Sequence, residues 1–149
     1  MDISELQKAL KIAFASEFTY YLKAHNFHWN VEGMFFKQLH DLFGGIYEEV
    51  HGSIDDFAEN IRKTGTYTPG SLERFSMLSR VNDENGVPDA KGMVAELLQD
   101  SEQMVQIFKA TFKIAEGLNE QGIADFIAGR MDAHQKHAWM LRSTLKTSI

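Results

Sequence analysis

Cysteine is absent from this chain of 149 residues. Disulfides, zinc ribbons and thiolate clusters are therefore excluded. Proline occurs only at Pro69 and Pro88, each inside a turn-rich stretch, so nothing interrupts long helices elsewhere. No apolar run approaches the roughly 18 to 20 residues that span a bilayer, which leaves a membrane role without support. Basic residues are in deficit: 15 Lys and Arg stand against 21 Asp and Glu, a formal charge of −6. General affinity for nucleic acid needs a basic stripe or tail, and none is present. An acidic shell suits cations instead. Met1 runs straight into Asp2 and Glu5 without a charged-then-apolar leader, so the expected compartment is the cytoplasm. The length suits a single domain, residues 1–149, able to bury about two thirds of its extended surface.

What is present is helical periodicity. Asp2 with Glu5 makes a capping-box start, and Leu6, Leu10, Ala13, Phe14, Phe18, Tyr21 and Leu22 keep the spacing of a buried stripe to about Trp29. A break at Asn30-Val31-Glu32-Gly33 leads into a second helix with Leu39, Leu42, Phe43, Ile46, Val50, Ile54, Phe57 and Ile61 on its apolar face. Ser71 caps a short helix through Leu78, and Asp89 caps a third long one that Gly117 closes. A fourth begins near Asn119 and carries Ile123, Phe126, Ile127, Met131, His134, Ala138, Leu141 and Leu145. Long helices joined short, long, short predict an all-α, ferritin-like four-helix bundle with a short extra helix in the crossover between the second and third.

The chemistry-bearing residues lie in the first half. The turn around Val31 to Met34 sets His28 and His40 about equally far from its centre, so an antiparallel hairpin brings both imidazoles to one height. Asp55 and Glu59 are one helical turn apart and share a face. His40 and Asp55, however, are separated by about 22 Å along a straight helix, so one metal cannot touch both within a chain. Symmetry removes the difficulty. On the second helix the positions of His40, Gly44, Glu48, His51, Asp55 and Glu59 fall on one stripe centred between Glu49 and Val50. An antiparallel two-fold contact there would set His40 opposite the partner's Glu59, Gly44 opposite the partner's Asp55 and Glu48 opposite the partner's His51. Each of two equivalent sites would then hold two histidines from one subunit and two carboxylates from the other. Mixed imidazole and carboxylate ligation suits Fe(II), Mn(II) or Zn(II), and spacing does not choose among them.

The run His25-Asn26-Phe27-His28-Trp29-Asn30-Val31-Glu32-Gly33, then Phe36-x-x-x-His40-Asp41-Leu42-Phe43 and Asp55-x-x-x-Glu59, closely resembles the Dps family, mini-ferritins that protect DNA in starved bacteria. The similarity covers nearly the whole chain. It implies a hollow shell of twelve subunits, with ferroxidase centres at two-fold interfaces and a ferric mineral inside. Matched to the motif, His28 and His40 are iron ligands from one subunit, and Asp55 and Glu59 are ligands from its partner. The resemblance further implies oxidation of Fe(II) by hydrogen peroxide, or by O2, with protection against oxidative stress. It places Trp29 near the iron, where its ring can intercept a stray oxidising equivalent. One turn before His28, His25 can serve as a supporting partner to the ligands. The start of the fourth helix resembles the part of the family that lines a three-fold pore, where Glu120 and Asp125 form acidic rings that draw cations inward; acidic groups there also meet the helix dipole favourably.

The chain departs from the family at Gly44, where many members place an aspartate, which leaves open whether a site holds one iron or two. DNA-binding members commonly use a lysine-rich tail, whereas this chain begins almost at its first helix, which speaks against DNA binding. Two other readings stay open: a DNA-compacting cage without catalysis, and the same fold with zinc or manganese held structurally at the interface. Glu48-x-x-His51 matches half of a di-iron bundle motif but has no second copy, so it reads as a salt bridge across the axis. His134 and His137 read as packing or hydrogen-bonding residues, and Gly44-Gly45 as a place of close helix approach at the interface, at a cost of about 1 kcal/mol per glycine relative to alanine.

Overall fold

The computed structural model describes residues 2–146, and every regular element among them is helical. Helix α1 spans Ile3–Asn30, opened by Asp2, whose carboxylate accepts the N–H groups of Ser4 and Glu5. Such a cap is worth about 1 kcal/mol. The buried face of α1 runs through Leu6, Leu10, Ala13, Phe14, Tyr20, Ala24 and Phe27. It departs from the stripe expected from sequence in its second half. Leu22 is 41% exposed and Phe18 is half-buried, because that side of α1 faces the crossover rather than the bundle centre; Tyr21 is half-buried against Tyr47 and His51.

Residues 31–35 turn the chain back. Gly33 carries the turn at φ +120°, a conformation that L side chains rarely adopt. Helix α2 (Phe36–Gly52) and helix α3 (Ile54–Lys63) replace the single second helix expected from periodicity. Between them Ser53 takes one tightened turn: its N–H reaches the Val50 carbonyl at 3.0 Å, and its Oγ donates to the same oxygen at 2.7 Å. Its backbone stays right-handed helical, at φ −88° and ψ −12°, so the rod is interrupted and not ended. Phe57 on α3 packs edge-on against Phe14 and Phe126, each at 5.4 Å between ring centroids, tying three helices into one aromatic core.

The short crossover helix α4 (Leu72–Leu78) starts where expected, with Ser71 Oγ accepting the Arg74 N–H. Phe75 fastens it by stacking on Phe18 at 4.6 Å and meeting Phe14 edge-on at 5.6 Å. Helix α5 (Ala90–Gly117) is capped by Asp89 on the Gly92 N–H at 2.7 Å. Gly117 is its last helical residue, but the left-handed residue that ends the helix is Asn119, at φ +59°. Helix α6 (Gln121–Leu145) returns along α5. Four rods, with α2 and α3 as the second, make the expected ferritin-like bundle with its crossover helix.

Candidate metal centre

The hairpin between α1 and α2 brings His28 and His40 together as the spacing predicts. Their rings stack at 3.8 Å between centroids, with planes 19° apart. His28 Nδ1 donates to the backbone carbonyl of His40 at 2.7 Å, and His40 Nδ1 donates to the carbonyl of His28 at 2.7 Å. A carbonyl oxygen only accepts, so both rings carry their proton on Nδ1. In the neutral form of either imidazole the lone pair then lies on Nε2, the state that a metal ligand requires.

Gly44 explains how His28 fits. A Cβ built on Gly44 would lie 3.1 Å from both Cε1 and Nδ1 of His28, so the ring occupies the space that a side chain would take. Within its own subunit, the close approach that Gly44 permits is to this imidazole. Gly45 meets nothing within 4 Å.

Asp55 and Glu59 stand together on the exposed face of α3. A third carboxylate that sequence reasoning missed, Asp56, joins them, with ligand atoms of the three within 4.8 Å of one another. Its signal was visible in adjacency to Asp55. The carboxylate group and the histidine pair lie at opposite ends of the α2–α3 rod, so within one chain the four expected ligands fall into two separate groups.

His25 makes no bond to either imidazole ligand candidate; its Nδ1 bonds the Tyr21 hydroxyl at 2.9 Å, and its ring centroid is 6.1 Å from that of His28. The support expected of His25 comes instead from the two backbone carbonyls. The His25 ring is sandwiched, 3.8 Å from Tyr47 and 3.9 Å from Trp29, and burial beside His28 and His51 lowers its basicity. Trp29 remains 57% exposed. Of the pore candidates, Glu120 is the residue before α6, half-buried and without a side-chain capping bond, while Asp125 is exposed. Asp125 shares a groove of about 310 Å³ with Asp56, Glu59 and Lys63.

A second polar cluster, running from the buried Glu17 to the Glu49 side chain, which is 39% exposed, was not read from sequence as a unit. Glu17 on α1 is fully buried and bonds Arg130 Nε at 3.1 Å and His134 Nε2 at 2.5 Å. Arg130 also grips Glu49 with both terminal nitrogens, at 2.5 and 3.0 Å, and His137 Nε2 meets Glu49 at 2.8 Å. Burial alone would raise the Glu17 carboxyl, but His134 and Arg130 outweigh it and hold the group below the usual carboxylate range. Glu49 is likewise pulled against burial to about 2 by His137 and Arg130. The bonds of His134 and His137 agree with the structural role expected of them. A charged residue inside the stripe of α1 was the available signal for Glu17.

The Ferritin-like domain model matches residues 7–148. The chain is 33% identical over 125 residues to DNA protection during starvation protein 2 of Bacillus anthracis, covering 84% of this chain and 86% of that one. The chain belongs to the Dps branch of the ferritin-like family. Similarity extends to an uncharacterized low temperature-induced protein of Nostoc sp., 38% identical over 134 residues, 89% of this chain and 75% of that protein. Among solved structures, Dps from Thermosynechococcus elongatus superposes with a TM-score of 0.94 at 26% identity, covering 97% of this chain and 92% of that one. Dps from Staphylococcus aureus gives 0.93 at 30% identity, covering 97% of each. No helix among the described residues is long and apolar enough to cross a membrane.

Proposed function

We propose that this Dps-type chain assembles into a closed homo-oligomeric cage, a dodecamer, that oxidises Fe(II) and stores the ferric product. His28 and His40 of one subunit and Asp55 and Glu59 of its two-fold partner bind the ferrous substrate, with Asp56 beside them. The observation that carries this reading is the reciprocal anchoring of His28 and His40, which fixes both tautomers with Nε2 turned over to a ligand. Two imidazoles alone bind Fe(II) weakly, and the exposed carboxylates of α3 supply the hard oxygen donors that favour Fe(III). Because the half-sites lie at opposite ends of one rod, an antiparallel dimer completes two of them at once. Exposed Glu48 and His51 near the middle of that rod are available to pair across the axis.

Hydrogen peroxide is the preferred oxidant, with O2 the slower one. Each peroxide accepts two electrons, so two ferrous ions are oxidised as its O–O bond breaks and two protons are taken up to give water. Both ingredients of hydroxyl-radical formation are consumed together, which protects a cell under oxidative stress; the cytoplasm is the compartment where this serves. The groove holding Asp125, Asp56 and Glu59 offers entering cations an acid-lined approach, and Glu120 extends it. DNA binding forms no part of the proposal, in line with the formal charge of −6.

The test is Fe(II) oxidation by the purified assembly, followed by ferric absorbance with peroxide and with O2 alone. Oxidation should be faster with peroxide, and the His28→Ala, Asp55→Ala double variant should show none above the uncatalysed rate. Equal rates in the two proteins would end the ferroxidase reading. Tight DNA binding at low salt without iron turnover would favour a compacting cage instead.

A further inference from the structure

The crossover loop between α4 and α5 carries a dipeptide with a chemistry of its own. Of the six asparagines, Asn85 alone is followed by glycine. The main-chain nitrogen of the next residue can attack an asparagine side-chain amide, and a side chain on that residue is the chief obstacle; Gly86 has none. Asn26, Asn30 and Asn60 lie in α1 and α3, where the N–H that would attack is committed to the helix ladder or its cap. Asn85 and Gly86 are both exposed and in no helix. Among the described residues no main-chain carbonyl holds the Gly86 N–H, which donates instead to Glu84 Oε2 at 3.2 Å. A Cβ built on Gly86 would meet nothing nearer than that same oxygen, at 3.9 Å. The nitrogen is unobstructed, and a carboxylate stands where its proton has to go.

The surroundings give such a reaction a consequence. The first part of the crossover is pinned to the bundle: Ser16 Oγ accepts the Arg80 N–H at 2.9 Å, Gln103 Nε2 donates to the Arg80 carbonyl at 2.6 Å, and Val81 is buried. Beyond it the loop turns acidic at Asp83 and Glu84. Asn85 and Glu84 line an open cavity of about 500 Å³ together with Lys23. Glu84 also faces Glu96 on α5, which already stands among like charges. Burial raises the Glu96 carboxyl, Lys23 opposes that rise, and Glu84 and Asp100 add to it. A further carboxylate next to Glu84 increases the repulsion across this contact.

We infer that Asn85-Gly86 is a self-modification site: Asn85 deamidates in the folded protein with Glu84 as proton acceptor, and the charge gained loosens the crossover from α5. The Gly86 nitrogen bonds to Asn85 Cγ, and its proton passes to the Glu84 carboxylate. The Cγ–Nδ2 bond of Asn85 then breaks, and ammonia leaves with that proton. Water opens the resulting cyclic imide at one of its two carbonyls. Opening gives aspartate, or isoaspartate with the main chain running through the former side chain. An amide nitrogen is thereby exchanged for a water oxygen, and the loop gains one negative charge.

The inference is independent of iron oxidation at the subunit boundary, and the metal-free assembled protein serves for its test. The protein is held in mildly alkaline buffer, sampled over time and digested for peptide mass spectrometry. The amide-to-acid mass change should appear at Asn85 ahead of the other asparagines, with its isoaspartate fraction labelled by an isoaspartyl methyltransferase. Gly86→Ala should all but stop the conversion. Glu84→Gln should slow it in the folded protein and leave it unchanged in the urea-unfolded chain, which separates a proton acceptor held by the fold from an effect of sequence alone. Asn85→Asp carries the product charge from the outset, so its Tm should be lower and amide hydrogen exchange over residues 82–88 faster than in fresh native protein. Three results overturn the inference: an Asn85 that persists in the assembled protein while the unfolded chain converts, a folded-state rate indifferent to Glu84→Gln, or an Asn85→Asp protein with unchanged Tm and exchange.

Discussion

His28 and His40 each hydrogen-bond the other's main chain: Nδ1 of one ring meets the carbonyl oxygen of the other residue at 2.7 Å in both directions. Each ring is thus held by a main-chain carbonyl across the hairpin and cannot turn without losing that bond. Ordering both imidazoles during folding would lower the entropic cost of the cation binding proposed for them. Asp55, Asp56 and Glu59, by contrast, are exposed on α3, with ligand atoms within 4.8 Å of one another.

The proposed division of the ligands between subunits predicts complementation. Cages of His28→Ala chains alone and of Asp55→Ala chains alone should both be inactive. Co-refolded in equal amounts, half of the two-fold interfaces pair one variant with the other, and each such interface regains one intact site of its two. Activity should therefore recover to roughly a quarter of the native sites. Recovery is measured as initial Fe(II) oxidation rate per subunit. No recovery in a mixed assembly of confirmed composition contradicts ligands shared across the axis.

Gly44 gives the second prediction. An alanine Cβ at 3.1 Å from the His28 ring pushes that ring by a few tenths of an ångström, enough to strain its bond to the His40 carbonyl. Disturbing a group that orients a metal ligand typically costs about 10- to 100-fold in affinity. Gly44→Ala should therefore weaken Fe(II) or Co(II) binding by roughly tenfold, while helix propensity adds up to about 1 kcal/mol of stability. Gly45→Ala is the comparison, since nothing lies within 4 Å of it in its own subunit. A loss of assembly on Gly45→Ala, read by light scattering, would reveal a second copy packed against that position. Unchanged metal affinity in Gly44→Ala would show that the crowding is absorbed elsewhere.

Helix starts were legible because local chemistry determines them: Asp2, Ser71 and Asp89 cap where their short polar side chains can reach the next free N–H groups. The pairing of His28 with His40 was legible because hairpin geometry follows from spacing about a turn. Ser53 was not, since periodicity continues unbroken across it and only its hydroxyl bond to Val50 distinguishes the position. The supporting role given to His25 failed for a related reason. A residue one turn away shares a helix face, but Tyr21, Tyr47 and Trp29 compete for the ring, and the main-chain carbonyls across the hairpin are nearer to the histidine pair. Glu17, Glu49 and Arg130 were hidden because their meeting depends on three helices separated by up to 113 positions.

Removing one partner from the interior network should be costly. Glu17 is fully buried and bonded to both Arg130 and His134, so Glu17→Gln keeps the shape while leaving a buried guanidinium with half its compensation. Breaking a buried ion pair in this way costs about 3 to 5 kcal/mol. Urea unfolding of the assembled protein should show that loss as a lower midpoint at an unchanged slope. A loss below about 1 kcal/mol would place the pair in the class of exposed salt bridges.

Acid should weaken the same network in a defined order. The folded protein disfavours charge on His137, chiefly through burial, although the bond to Glu49 opposes this; its folded pKa therefore lies below the ordinary value of 6.5. A group with a depressed folded pKa binds fewer protons folded than unfolded, so its stabilisation is complete above the unfolded value and is lost as pH falls through the folded one. Loss from His137 thus begins below about pH 6.5, with His25, depressed in the same direction, adding to it. Glu49, brought to about 2 in the folded state from an ordinary 4.5, and Glu17, also depressed, add their losses below about pH 4.5. Asp100 acts oppositely in the carboxylate range, because burial raises it despite Lys23. Tm should therefore fall as pH drops from 7 toward 5, before the carboxylates that oppose one another dominate. In His137→Gln the slope across that window should be shallower, whatever the variant's stability at pH 7. An identical slope in the variant would assign the acid sensitivity to groups other than His137.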